Sequence, residues 1–290
     1  MKFRASAVVL LALASCLVHR SPSPASTVSL GAQVWYAWWV PAWGNQDYTA
    51  DPSITVSQST ELDRPDPAFM AGPTVSVGFL DRWSFSVAGA YGTYSTQGTR
   101  MPTATAIVFE ETDIRKYDLD TALSYIINSF FKLYAGFKLQ GYGYDKTLHQ
   151  VVSPSTYRWE TYKNTTYRSM GPALGIGITV PFGERLFLVW NTNALLLYAW
   201  EDTSMDKYTF DPALGHEHYA YSGRARLYGA NTALSFAYFI PDSRLTVTAG
   251  FRYQLLRYVQ DRSDVGEYNF DGKFDRFYGI VLGAMYSFNP

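Results

Sequence analysis

From residue 29 onward, apolar side chains recur at every second position over stretch after stretch. That is the period of an extended strand, not the 3.6-residue period of a helix. In 29–39, Leu30, Ala32, Val34, Tyr36 and Trp38 alternate with Ser29, Gly31, Gln33, Trp35 and Ala37. In 83–94, Trp83, Phe85, Val87 and Tyr91 oppose Ser84, Ser86, Ala88 and Ala90. In 113–127, Tyr117, Leu119, Leu123, Tyr125 and Ile127 alternate with Lys116, Asp118, Asp120, Ala122 and Ser124. In 129–144, Phe131, Leu133, Phe137 and Leu139 oppose Lys132, Tyr134, Lys138 and Gln140. The last stretch, 274–288, sets Tyr278, Ile280, Leu282, Ala284, Tyr286 and Phe288 against Asp275, Phe277, Gly279, Val281, Gly283, Met285 and Ser287. With 73–80, 166–182, 186–200, 222–240 and 244–259, the pattern predicts about ten strands. Around Gly229 the apolar parity shifts from Ala225 and Leu227 to Leu234, Phe236 and Tyr238, which predicts a β-bulge.

Charges at alternate positions of an apolar segment have no place in a strand buried on both faces. A strand greasy on one side and small or polar on the other fits an all-β fold: an antiparallel transmembrane β-barrel with lipid outside and a polar lumen. Connections alternate between long (40–70, 95–112, 145–165, 201–221, 260–273) and short (81–82, 128, 183–185, 241–243). Long surface loops and short periplasmic turns give that asymmetry, and an even strand number places both termini on the periplasmic side. A soluble β-sandwich also shows alternating strands. The barrel accounts better for aromatic residues near strand ends, namely Trp38, Trp39, Trp83, Trp200, Tyr286 and Phe288. Lumen-lining positions by parity include Gln33, Lys116, Asp118, Asp120, Lys132, Lys138, Gln140, Asn191, Asn193, Asn231, Arg252, Gln254 and Asp275. A bore of ten strands is only slightly wider than one that side chains fill, and buried charges need partners. A salt-bridged filling or a narrow path is therefore expected, not a wide pore.

Composition agrees. Aromatics reach 17%, and charged residues stand at 17%, below the roughly 25% of soluble domains. The net charge of −1 offers no basic surface for nucleic acid. No apolar run is long enough for a spanning helix. At the N-terminus, Lys2 and Arg4 precede an apolar core over 5–18, with small residues at Ser23-Pro24-Ala25. This predicts a signal peptide over 1–25 and a mature barrel over 26–290. Leu13-Ala14-Ser15-Cys16 is an alternative that resembles a lipoprotein cleavage box with Cys16 lipidated. Cys16 is the only cysteine, so an intramolecular disulfide is not expected.

The final strand, ending in Phe288, resembles the closing strand of bacterial outer-membrane β-barrels, which usually ends in an aromatic residue, most often Phe; here Asn289 and Pro290 follow it. The resemblance implies residence in the outer membrane, contact with outer-membrane lipid and lipopolysaccharide, and insertion by the barrel assembly machinery. Segments 40–70 and 201–221 each carry five acidic residues against one basic, −5 + 1 = −4. Such an acidic, aromatic crown suits a cationic or other surface ligand, or a plainly solvated rim. No spacing matches a calcium loop, a zinc site or a phosphate-binding glycine loop, so neither metal nor cofactor is expected.

Chemistry-bearing residues concentrate in two places. Asp118 and Asp120 follow the second long segment, while Asp211, His216 and His218 lie in the fourth. Ten strands with these groups at two loops resemble the layout of the omptin family, whose proteases set paired Asp residues opposite an Asp-His pair to activate water. The resemblance implies a hydrolase acting on peptides or lipid A, with those five residues as candidates. The family's Asp-any-His spacing is absent: Asp211 lies five before His216, and His216 itself stands two before His218. The His pair also has the spacing of a surface transition-metal site. Three classes remain open: a surface-binding or structural barrel, a narrow small-solute channel, and an outer-membrane hydrolase.

Overall fold

The computed structural model describes residues 27–42, 65–103, 106–152, 158–209, 215–260 and 271–288. The segment expected to be a signal peptide, with Cys16, and Asp211 lie outside the described residues. The strands are β1 (Thr27–Val40), β2 (Ala68–Phe79), β3 (Trp83–Thr103), β4 (Ala106–Ile126) and β5 (Phe131–Val152), followed by β6 (Arg158–Pro181), β7 (Leu186–Thr209), β8 (His216–Ile240), β9 (Leu245–Val259) and β10 (Phe274–Phe288). Each pairs antiparallel with its sequence neighbours, and β1 pairs with β10 from Val28 opposite Phe288 to Val40 opposite Arg276, closing a ten-stranded barrel.

The alternation read from sequence sorts into inside and outside. On β10, Ile280, Leu282, Tyr286 and Phe288 are exposed, while Asp275 and Phe277 are buried within the barrel. On β7, Leu196 and Tyr198 face out and Leu195, Leu197 and Ala199 face in. Exposed apolar side chains run right round the wall: Phe69 on β2, Leu133 on β5, Leu174 on β6, Phe236 on β8 and Phe251 on β9. A continuous apolar surface of that extent is stable against lipid, not water. Tyr278 and Phe288, near its two edges, are ten residues apart on β10. At about 3.3 Å per residue and a tilt of about 40°, they are separated by roughly 25 Å along the axis, the height of an outer-membrane apolar band.

The connections differ from the sequence expectation at one end. Tight turns join strands at 80–82, 127–130, 182–185 and 241–244, with positive φ at Leu80, Gly183 and Arg244. At the other end, much of 95–112, 145–165 and 201–221 is strand and not loop. β3 to β8 run 21 to 25 residues, against 12 to 15 for β1, β2, β9 and β10. Six strands thus rise beyond the apolar band as a sheet on one side of the barrel. The polar residues in these extensions read as loop, yet Thr, Tyr and alternating charges pair well across a solvated sheet.

The bulge expected at Gly229 is absent: pairing is continuous through it to both Leu195 on β7 and Leu256 on β9. The parity shift has another cause. Ala225 and Leu227 face inward into a buried apolar layer, whereas Leu234, Phe236 and Tyr238 are exposed on the outer wall. Gly229 itself is required by crowding, since a Cβ there would sit 1.9 Å from the Leu255 carbonyl oxygen. Register does shift elsewhere, between Arg100 and Thr103 on β3.

If the outer wall meets hydrocarbon, Leu282→Arg is expected to destabilise the barrel by about 2–4 kcal/mol. Ser204→Arg, on the same wall of β7 above the band, should change stability by less than about 0.5 kcal/mol. Reversible urea unfolding in lipid vesicles measures both; equal effects would argue against the lipid boundary.

Candidate functional site

The bore is crossed by side chains. Lys138 on β5 donates from Nζ to both Asp118 oxygens (2.7 and 2.8 Å) and to Asp120 Oδ1 (3.0 Å) on β4. Arg252 on β9 donates from Nη2 to Asp120 Oδ2 at 2.5 Å and from Nε to Asn231 Oδ1 on β8 at 3.0 Å. β4 and β9 lie five strand steps apart in either direction round the closed order, so the Arg252–Asp120 bond spans the barrel. Beside it, Gln254 on β9 donates to Gln140 on β5 at 2.8 Å. Lys138, Asp118, Gln140 and Gln254 are 0–3% exposed.

A second layer sits over the first. Trp39, Tyr94, Tyr142, Tyr167, Tyr258 and Phe277 are all buried inside the barrel and contact one another ring to ring, as in Trp39–Tyr142 (4.9 Å) and Tyr142–Tyr167 (4.7 Å). Lys116 projects into this layer, its Nζ 4.5 Å from the Trp39 ring centroid and 4.9 Å from that of Phe277. Trp39 Nε1 donates to Asp275 Oδ1 at 2.8 Å, and the Arg252 guanidinium lies 4.7 Å over Trp35. Across the two layers the cations Lys116, Lys138 and Arg252 stand among the carboxylates Asp118, Asp120, Asp275 and Glu201, the last opposite Tyr167. Pairing of opposite charges is what allows charge to be held in a space closed off from bulk water.

Eight of the parity-selected residues are thus buried in the bore: Lys116, Asp118, Lys138, Gln140, Asn231, Arg252, Gln254 and Asp275. Asp120 is partly buried there, and Asn231 is buried beside Arg252. Gln33, Lys132, Asn191 and Asn193 lie nearer the tight-turn end. Gln33 donates to the Gly89 carbonyl, and Asn193 donates to the Tyr134 hydroxyl. The inward aromatics were missed. Trp39 had the sequence position of a membrane-interface residue, but its parity with Trp35 points it inward, as the burial of both records.

The four hydrolase candidates among the described residues are not brought together. Asp118 and Asp120 are engaged by Lys138 and Arg252 inside the bore, whereas His216 and His218 lie exposed on the outer wall of the β8 extension. Both His residues turn to one partner on β7, with His218 Nδ1 2.8 Å and His216 Nε2 2.9 Å from Asp206 Oδ1. Hydrogen bonds from His218, then His216, hold the Asp206 carboxyl below its usual range. Tyr208 stacks on His216, and Tyr219 donates to Glu217. Among the described residues no group of three or more His, Cys, Asp or Glu is arranged to hold a metal ion. Glu201, counted with the acidic rim from sequence, instead faces inward and is buried.

An antiparallel sheet closed on itself, apolar outside and polar-aromatic within, defines a β-barrel of the outer-membrane type. No family model and no curated protein matches the sequence. Among solved structures, the chain is similar to the outer membrane protease OmpT of Escherichia coli, at 12% identity and a TM-score of 0.45, covering 93% of this chain and 99% of that one. It is also similar to the translocator domain of the autotransporter NalP from Neisseria meningitidis (12%, TM-score 0.32, covering 98% and 95%). A major outer membrane protein from Thermus thermophilus compares at 8% identity and a TM-score of 0.33, covering 91% and 99%. Likeness of this size transfers no residue role.

Removing one partner of the cross-bore network leaves a buried charge uncompensated. Lys138→Met is expected to cost about 3–5 kcal/mol, with part regained in Lys138→Met/Asp118→Asn. Thermal unfolding in detergent measures it, and a loss under about 1 kcal/mol would mean that water reaches the site freely. At the rim the sign is that of a depressed carboxylate. The Asp206 contribution is present above the ordinary Asp value of about 3.9 and lost as pH falls through the lower folded value. His218→Ala should move the Asp206 titration upward, as read by carboxyl NMR.

Proposed function

We propose that the chain is an exported outer-membrane barrel that does not conduct and that serves to anchor and present its six-stranded extension at the cell surface. One observation carries this: the Arg252–Asp120 bond runs from wall to opposite wall and lies directly beneath a contiguous aromatic layer. A solute path through the middle would have to part a charge-assisted hydrogen bond and separate stacked rings with no partner ready to replace either. Side chains of this bulk fill a bore of ten strands, which is only slightly wider than an eight-stranded one.

On this reading the tight turns lie in the periplasm with the termini, and the extended strands stand outside the cell. The extension offers a solvated outer surface that includes Tyr162, Tyr208, His216 and His218 with Asp206 between the two histidines. Tyr and His on a rigid sheet give large contact area at small entropic cost, which suits a surface ligand. Signal-directed export and the assembly machinery belong to the same proposal.

In planar bilayers the purified chain is expected to show no steady openings. A variant that clears both layers (Asp120→Ser, Arg252→Ser, Trp39→Ala and Phe277→Ala) should give stepwise conductance. Steady openings from the unaltered chain would overturn the closed-bore reading and favour a narrow channel.

A further inference from the structure

Between the salt-bridged layer and the tight turns, the bore is open to water. Ser76, Ser86, Tyr134, Asn191, Thr248 and Gly283 face inward there and are half-exposed, whereas the inward residues of the two layers are buried. Most inward positions at this level are Gly, Ala, Ser or Thr. Ten strands about 4.8 Å apart and tilted about 40° set opposite backbones roughly 20 Å from each other. Small side chains inside that circle leave a cup, open at the turns and blind at the Asp120–Arg252 bond.

One flank of the cup holds polar groups with nothing to bond. Cross-strand register aligns Lys132 on β5, Gly177 on β6 and Asn191 on β7 in one row, and Tyr134, Gly175 and Asn193 in the next. The glycines let side chains from both neighbours lean over β6. A Cβ at Gly177 would sit 2.3 Å from Lys132 Cε and 2.7 Å from Asn191 Oδ1, and one at Gly175 would sit 2.5 Å from Tyr134 Cζ. Among the described residues Lys132 has neither an ion pair nor a hydrogen bond, so its side chain is free to swing off Gly177. Asn191 Oδ1 and Asn193 Oδ1 are buried without a hydrogen-bond partner. A cation and two acceptors left unsatisfied in a walled space cost free energy that a fitting ligand would recover.

Such a ligand brings a negative group for Lys132 and donors for the two oxygens. A simple carboxylate offers acceptors only. The last residue of a peptide joins a carboxylate to a backbone N–H, and terminal carboxylates are a recurrent recognition handle. Asn191 and Asn193 are two residues apart on one strand, about 6.6 Å, which is also the repeat of alternate N–H groups along an extended peptide. With its carboxylate on Lys132, that peptide runs inward past Asn193, so its N-terminus is the enclosed end and the chain is short. At the blind end Asp120 faces it, with a side chain 29% exposed against 2% for Asp118.

We infer that the cup binds a free peptide of about three residues, roughly 10 Å extended, with its carboxylate on Lys132 and its N–H groups on Asn191 and Asn193. On the orientation proposed above, the cup opens to the periplasm. The inference uses the closed-bore reading only for the blind end.

The test titrates the purified chain in non-ionic detergent with trialanine, trialanine amide, hexaalanine and inorganic phosphate, read by isothermal calorimetry. Trialanine is expected to bind one to one, at least tenfold more tightly than its amide or hexaalanine. Lys132→Met should weaken it tenfold or more and Asn191→Ala/Asn193→Ala fivefold or more, while Arg82→Ala, in the exposed β2–β3 turn, changes it less than twofold. Faster gel migration of unheated samples shows that each variant is folded. No binding of trialanine at millimolar concentration, equal binding of acid and amide, an unaffected Lys132→Met, or displacement by equimolar phosphate (an adventitious anion only) would overturn the site. Hexaalanine bound as tightly as trialanine would overturn the length limit and the inward course of the peptide. Steady bilayer openings would instead sink the closed-bore reading, which the titration does not use.

Discussion

In hydrocarbon an unpaired backbone N–H or C=O has nothing to bond with, and every strand edge is a line of such groups. The β1–β10 pairing answers that constraint, and most of the architecture follows from it. Once the sheet closes, alternate side chains are committed to lipid or to the bore, and strand number fixes the bore's width. Ten strands leave a space that must hold either water or side chains. Across the two layers it holds side chains, and because the bore runs through an apolar band, their charges must balance locally. The pairing of cations with carboxylates across the bore is a consequence of closure as much as of function.

The same constraint relaxes where strands leave the band. Among the described residues six of the ten strands continue above the band, where their backbone and side-chain groups can also bond with water. Polar residues there cost nothing, and the chain uses them in cross-strand pairs such as Arg115 with Asp145 at 2.6 Å. These pairs are exposed and contribute little to stability individually. Pairs of this kind align neighbouring strands, and on the same extension Tyr208 stacks on His216.

How far the sequence could be read depends on which contacts are local. Alternation within the band is local, and it located all ten strands, with β10 from Phe274 to Phe288 matching to the residue. It failed above the band, because Thr, Tyr and charge in a solvated strand resemble the composition of a loop. It also failed at Gly229, where a change in what lies opposite the wall, bore-filling rings above and lipid below, looks in one dimension like a slipped register. The charged residues of the bore were legible by parity. That Asp120 meets Arg252, 132 positions on, was not, since only closure makes β4 and β9 opposite one another.

The aromatic residues show why parity must be applied before residue type. Trp39 and Trp38 are adjacent, and both suit a membrane boundary by composition. Trp38 faces outward and stacks on Tyr278, whereas Trp39 is turned into the bore to donate to Asp275 beneath Lys116. One residue of offset separates a ring on the outer wall from a ring buried in the bore. The same arithmetic separates Glu201 and Trp200 on β7: the first closes the interior, and the second stands on the outer wall between Arg168 and Arg224. In a closed sheet, function is therefore assigned by face first and by chemistry second, and neighbouring residues on one strand share neither solvent nor partners.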